Sequence, residues 1–349
     1  METGYFHRLK AQTPTRFWIN NVSRDEAQMA IDAGATGCTQ NPAYVWKMLT
    51  HPTEASYAKA MLAEILRETE DDNEAECILQ RRLIGAVAKI FLPMWEKSHG
   101  RCGYVSIQGD PIHEEDAQVI IDEGRKNREM GPNVMIKIPA TKAGLIAMEV
   151  LLEENTPINA TEVMGVSQAR SVMEVYDRVT GRTGKYPVSY ISHIAGIYDE
   201  YLEAWVKENN IDILPDHLYQ AGLIVARKVY YMMKENHTRM GFIGGGIRGL
   251  HHFTELVGGE DVCLTINWKG CADILIEQNP PVISRIHNPV SPHVIDALLE
   301  KVAEFKSGYM ENGLTVDEYE EFGPVELFRH MFLSAWNSSL QLIGEMRKA

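Results

Sequence analysis

Short runs of β-branched and apolar residues recur along the chain, each followed by a longer stretch whose apolar positions return every three or four residues. Eight such runs stand out: "FWINNV" (17 to 22), "TGCTQN" (36 to 41), "GYVSIQ" (103 to 108), "VMIKIP" (134 to 139), "NATEVMGV" (159 to 166), "VSYISHIAG" (188 to 196), "GFIGGG" (241 to 246) and "VCLTIN" (262 to 267). Strand and helix alternating in this way define the α/β class with parallel strands. Eight of them predict a closed (β/α)8 TIM barrel.

The stretches between fit an outer ring of helices. "SRDEAQMAIDAG" opens on a capping serine and ends at glycine, and "TKAGLIAMEVLLEEN" and "SQARSVMEVYDRVTG" repeat apolar residues at helical spacing. Extra helices are expected after the second strand, over about residues 43 to 100, and at the C-terminus from about 290 to 349, where "ENGLTVDEYEEFGP" makes a polar break. No linker divides the chain, so residues 1–349 are expected to form one domain, with the barrel at about 15–285. A doubly wound sheet is the rival. "GFIGGGIRG" offers its glycine-rich turn, but the strand before it lies more than two hundred residues into the chain, and no acidic residue follows at the end of an obvious second strand.

Composition narrows the function classes. A net charge of −14 argues against general nucleic-acid binding, which needs a basic face, but leaves room for a local anion site. No apolar run approaches the roughly 20 residues of a membrane span. The first residues lack the apolar stretch of a secretory signal, and the five cysteines form no disulfide or zinc pattern, so a reducing cytoplasm is the expected compartment.

In a barrel enzyme the chemistry sits at the carboxyl ends of the strands. Here those ends carry Asn20, Asn41, Gln108, Lys137, Asn159, Thr161 and Ser192, with Arg248 just after the seventh strand. Lys137 is the unusual member. An edge strand with the ammonium in solvent is the plain alternative, since lysine is rarely buried. A buried lysine instead loses affinity for its proton and becomes a nucleophile, as imine chemistry requires.

At these positions the chain resembles the transaldolases and their relatives, the fructose-6-phosphate aldolases. "GATGCTQNPAYVW", "VMIKIPATKAGLIAM", "PINATEVMGVSQA", "YISHIAGIYDEYL" and "GGIRGLHHFTELVGGEDVCLTIN" occur in the family's order between about residues 17 and 270. The resemblance implies that Lys137 forms a Schiff base with a ketose or ketose phosphate and that a dihydroxyacetone unit is transferred, without a cofactor, within the pentose phosphate pathway. It implies that Asn41, Asn159 and Ser192 hold the substrate, that Thr161 stands near a catalytic water, and that Arg248 binds a terminal phosphate. A small-molecule sugar is the expected partner, and a homo-oligomer is open.

Three positions depart from the family's pattern. Asn20 stands where an aspartate performs acid/base work, Gln108 where transaldolases carry a glutamate (the aldolase branch is similar to this chain there), and Ile197 where a second phosphate-binding arginine is usual. Asp110, Glu162 and His193 are candidates to replace the lost acid/base group, although strand alternation predicts that Glu162 points away from the mouth. Two further readings follow: an aldolase or lyase acting on a non-phosphorylated or differently charged sugar, and a catalytically silent sugar-binding barrel. No metal is expected, because His251 and His252 are adjacent and should diverge on a helix.

Overall fold

A computed structural model describes residues 4–348; the outermost positions of the expected 1–349 span lie outside the described residues. Eight parallel strands close in sequence order into a barrel: β1 Arg16–Asn20, β2 Gly37–Thr39, β3 Tyr104–Gln108, β4 Val134–Pro139, β5 Ile158–Val163, β6 Ser189–His193, β7 Gly241–Gly244 and β8 Val262–Asn267. The expected strands are all present. Those at β1, β2, β5, β6 and β7 stop two or three residues early, because their last predicted residues turn into the loops and helices of the barrel mouth.

Alternation along each strand divides the apolar residues into two cores. Ile19, Ile107, Ile136, Ile138, Ile191, Phe242 and Ile266 belong to the core between sheet and helices. Trp18, Tyr104, Met135, Tyr190, Ile243 and Cys263 form a separate cluster filling the barrel interior, where the Trp18 and Tyr190 rings meet edge to face at 5.3 Å. Gly37 makes this plug possible, since a Cβ there would sit inside the Trp18 indole. The next inward residue after Met135 on β4 is Lys137, so the same alternation that buries Met135 aims the lysine into the barrel above the plug.

One strand breaks the alternation. The β5–β6 register slips between Ala160 and Val163, and Glu162 adopts φ +58°, in the left-handed region that side-chain-bearing residues seldom occupy. The bulge turns Glu162 inward, which corrects the expectation that it points away from the mouth.

The segment after β2 contains helices Tyr44–Thr50, Ala55–Ile65 and Asp72–Lys97. Beyond the barrel, helices Pro292–Lys301 and Ala303–Tyr309 precede the polar break, and a helix over Gly323–Lys348 follows it. This last helix buries Val325, Phe328, Phe332, Trp336, Ser339 and Ile343. That stripe packs it against helices Tyr44–Thr50, Asp72–Lys97 and Ala195–Glu208 and onto β5, across the barrel mouth. No helix among the described residues is long and apolar enough to cross a membrane.

Candidate active site

Lys137 pairs in register with Gln108 on β3 and Asn159 on β5. Its Nζ donates to Gln108 Oε1 at 3.0 Å, and Gln108 Nε2 donates to Glu162 Oε1 at 2.7 Å. Nζ also lies 5.7 Å from the centre of the Phe332 ring, within cation–π range. The lysine is 7% exposed. Burial pulls its ammonium down to about 8, against the opposing pull of Glu162 and Glu114. The edge-strand alternative is excluded by this burial.

Glu114, on the loop after β3, completes a charged cluster. Its Oε1 lies 2.9 Å from Arg329 Nε of the last helix, and Arg329 Nη1 also meets Glu115. Burial raises the affinity of both Glu114 and Glu162 for a proton; for Glu114 the neighbouring Glu162 charge adds to the effect, while Gln108 and Lys137 oppose it at Glu162. Asn159 Oδ1, Thr161 Oγ1, Glu114 Oε2 and Glu162 Oε2 are buried without a protein partner among the described residues. Unpartnered buried polar atoms are uncommon, and a role in binding or catalysis is one of the explanations they call for.

A cavity of about 230 Å³ opens above Lys137, lined in part by Asn20, Asn41, Ser192, Arg248, Thr265 and Phe332. Asn20 sits in a directed, neutral chain: Thr39 Oγ1, 2.7 Å from Thr265 Oγ1, donates to Asn20 Oδ1 at 2.9 Å, and Asn20 Nδ2 donates to Asn267 Oδ1 at 2.9 Å. Nothing in that chain titrates near neutral pH. Asn159 Nδ2 donates to Ser106 Oγ at 3.3 Å. Asn41 lines the cavity, but its side-chain oxygen is used locally, accepting from Asn21 Nδ2 at 2.9 Å and from the Ala43 amide at 3.1 Å.

Two of the candidate acid/base groups are committed elsewhere. Asp110 accepts from the Ile112 amide and from Asn73 Nδ2, each at 2.7 Å, and its Oδ2 lies 2.7 Å from His113 Nδ1. His193 is fully buried with Nε2 3.1 Å from the Gly222 carbonyl, and burial drives its pKa down to about 4. Of the three, only Glu162 is hydrogen-bonded to a neighbour of Lys137.

Arg248 is held by its turn. Gly246, at φ +64°, packs against Ile194, and the amides of Arg248 and Gly249 donate to His252 Nδ1 at 3.4 and 3.2 Å. Because Nδ1 accepts, Nε2 carries the ring proton and donates it to Asp199 Oδ2 at 2.9 Å. The guanidinium Nε in turn meets Glu200 Oε2 at 2.5 Å. Ile197 is buried beside Gly246.

His251 and His252 do not diverge as expected. Their rings lie 3.9 Å apart, with Tyr219 stacked on His251, and Asp199 completes a group of three potential ligands. The proton on His252 Nε2 occupies the lone-pair position a metal ion would need, so this donor set does not suit one.

Glu114, Glu200, Arg329 and Phe332 were not anticipated from the sequence. Glu114 had a weak signal in "IHEEDA", after a strand end; Glu200 is brought in by the helix after β6, and Arg329 and Phe332 by the last helix.

A family model described as transaldolase/fructose-6-phosphate aldolase matches residues 17–311. Among curated proteins, a transaldolase of Thiobacillus denitrificans is 31% identical over 173 residues, covering 47% of either chain. A transaldolase of Mycobacterium bovis is 28% identical over 235 residues, 62% of this chain and 61% of its own. One of Mycobacterium ulcerans is 32% identical over 175 residues, 46% and 44% respectively. The matches thus span about half to three fifths of these relatives' length. With the family model matching most of its length, from β1 past β8, the chain belongs to the transaldolase/fructose-6-phosphate aldolase family.

Proposed function

We propose that the chain acts as one domain and is a transferase of the transaldolase type, working through an imine at Lys137. The observation that carries this reading is a buried lysine whose proton affinity is lowered to about 8 at the mouth of a closed barrel. The free amine adds to the C2 carbonyl of a ketose, the resulting carbinolamine loses water, and the protonated imine draws the C3–C4 electron pair into an enamine. The C4 hydroxyl gives up its proton and the aldehyde fragment leaves. Attack of the enamine on a second aldehyde, then hydrolysis, completes the transfer. Asn159, Thr161 and Ser192 are the substrate-facing amide and hydroxyls, and Asn20, Gln108 and Asn41 hold the surrounding network.

A second reading keeps the imine but changes the substrate: a ketose whose far end is uncharged. It is favoured by the contact between Arg248 and Glu200, which sets a carboxylate against the guanidinium that a phosphate would use, and by Ile197, which adds no charge. Neutral Asn20 favours slow C3–C4 cleavage whichever fate the enamine then meets.

Borohydride reduction in the presence of fructose 6-phosphate, fructose or dihydroxyacetone, followed by intact mass, tests both. A stable adduct in the wild type and none in Lys137→Met is expected. Absence of an adduct with every ketose would leave a silent sugar-binding barrel. Product analysis with and without an acceptor aldehyde separates transfer from cleavage.

A further inference from the structure

The family's usual carboxylates are missing from β1 and β3, yet the site is not without negative charge. The bulge in β5 turns Glu162 inward, and its carboxylate stands one amide away from Lys137. Gln108 could present either end of its amide to the lysine. A carboxylate only accepts hydrogen bonds, so Glu162 takes the NH2 end and the carbonyl end must face Nζ. We propose that Glu162 is a positioning residue of the active site: from the β5 bulge it fixes the Gln108 amide with Oε1 toward Lys137 and supplies the negative charge absent from Asn20 and Gln108. The inference rests on the reading of Lys137 as the imine-forming residue.

The orientation matters for the nucleophile. A carbonyl accepts from the lysine whether or not it is protonated, so the lone pair of the free amine points away from Gln108. The reversed amide would donate to that lone pair and occupy it. The charge matters as well. Glu162 from β5 and Glu114 from the loop after β3 act on Lys137, Lys137 and Arg329 of the last helix act on Glu162, and Glu162 acts on Glu114. Asp110 and His193 have other partners.

The test uses the full chain with Glu162→Gln, Glu162→Leu and Lys137→Met. Lysine labelled with carbon-13 at the ε position reports the titration of Lys137 by NMR, its signal identified by loss in Lys137→Met. The rate of borohydride-trapped adduct formation with dihydroxyacetone is followed against pH in parallel. Glu162→Gln keeps a hydrogen-bond acceptor and removes the charge, so the Lys137 midpoint and the rising limb of the adduct profile should both move down by ~1 pH unit. Glu162→Leu also frees the amide and should lower the plateau rate by a further ~10-fold. An unmoved midpoint in Glu162→Gln, or equal plateau rates in the two variants, would overturn the proposal. Should Glu162→Leu fail to fold, the Glu162→Gln midpoint decides. Failure of the imine reading looks different: the wild type forms no adduct, while the NMR midpoint still shifts.

Discussion

Glu200 Oε2 lies 2.5 Å from Nε of Arg248, at the outer rim of the cavity above Lys137. That contact uses one of the five guanidinium N–H groups, so an incoming anion would share Arg248 with the Glu200 carboxylate and be repelled by it, whereas a neutral sugar terminus would not. Replacement Glu200→Gln is expected to raise kcat/KM for fructose 6-phosphate relative to fructose by ~10-fold. Steady-state kinetics on the two ketoses checks this, and an unchanged ratio would remove Arg248 from substrate selection.

Asn20 lies in a neutral chain between Thr39 and Asn267. Substituting aspartate keeps the acceptor toward Thr39 and adds a group that can exchange a proton. Asn20→Asp should therefore raise the rate of C3–C4 cleavage by ~10- to 100-fold while leaving the amount of trapped adduct unchanged. Aldehyde release under single-turnover conditions is the measurement. A slower variant would mean that the network, not the missing acid, sets the rate.

The proton affinity of Lys137 gives a pH dependence of definite sign. Its midpoint is lowered to about 8 from 10.5, so the amine is increasingly free, and adduct formation increasingly fast, as pH rises through about 8. Between those two values the unfolded chain holds more protons at this residue than the folded one, so Lys137 makes stability rise with pH across that window. Urea unfolding of wild type and Lys137→Met at pH 7 and pH 10 should show that rise reduced in the variant.

His252 holds the Arg248 turn through two backbone amides and is itself fixed by Asp199. His252→Ala should raise KM for a phosphorylated ketose by ~10-fold and leave the dihydroxyacetone adduct rate unchanged, because Lys137 is reached by other elements. A comparable loss with both substrates would instead indicate general disorder of the mouth.

Much of this site could be read from the chain because it follows strand periodicity. Lys137, Gln108 and Ser192 lie on inward positions of regular strands and Asn159 on an inward position of β5 ahead of its bulge, so their joint placement follows once the barrel closes. Glu162 could not be read that way: one bulge reverses its face, and a single residue at positive φ leaves no mark in the hydrophobic pattern. The C-terminal region was legible as helical, but the course of its last helix over the mouth depends on surfaces distant in sequence. The rule that adjacent helical side chains diverge failed at His251 and His252, where the helix is only four residues long and Tyr219 stacks on His251.

The aromatic and apolar plug beneath Lys137 shuts the lower end of the barrel and leaves its upper end as a door. Trp18, Tyr104, Met135, Tyr190, Ile243 and Cys263 fill the interior below the lysine, so the cavity above it is the side from which a ligand meets Lys137. In a transfer reaction the first aldehyde must therefore clear the passage before the second can approach the waiting enamine. Traffic through that passage then becomes a clock: whether the bound three-carbon fragment meets water or another sugar depends on which arrives first once the door is free.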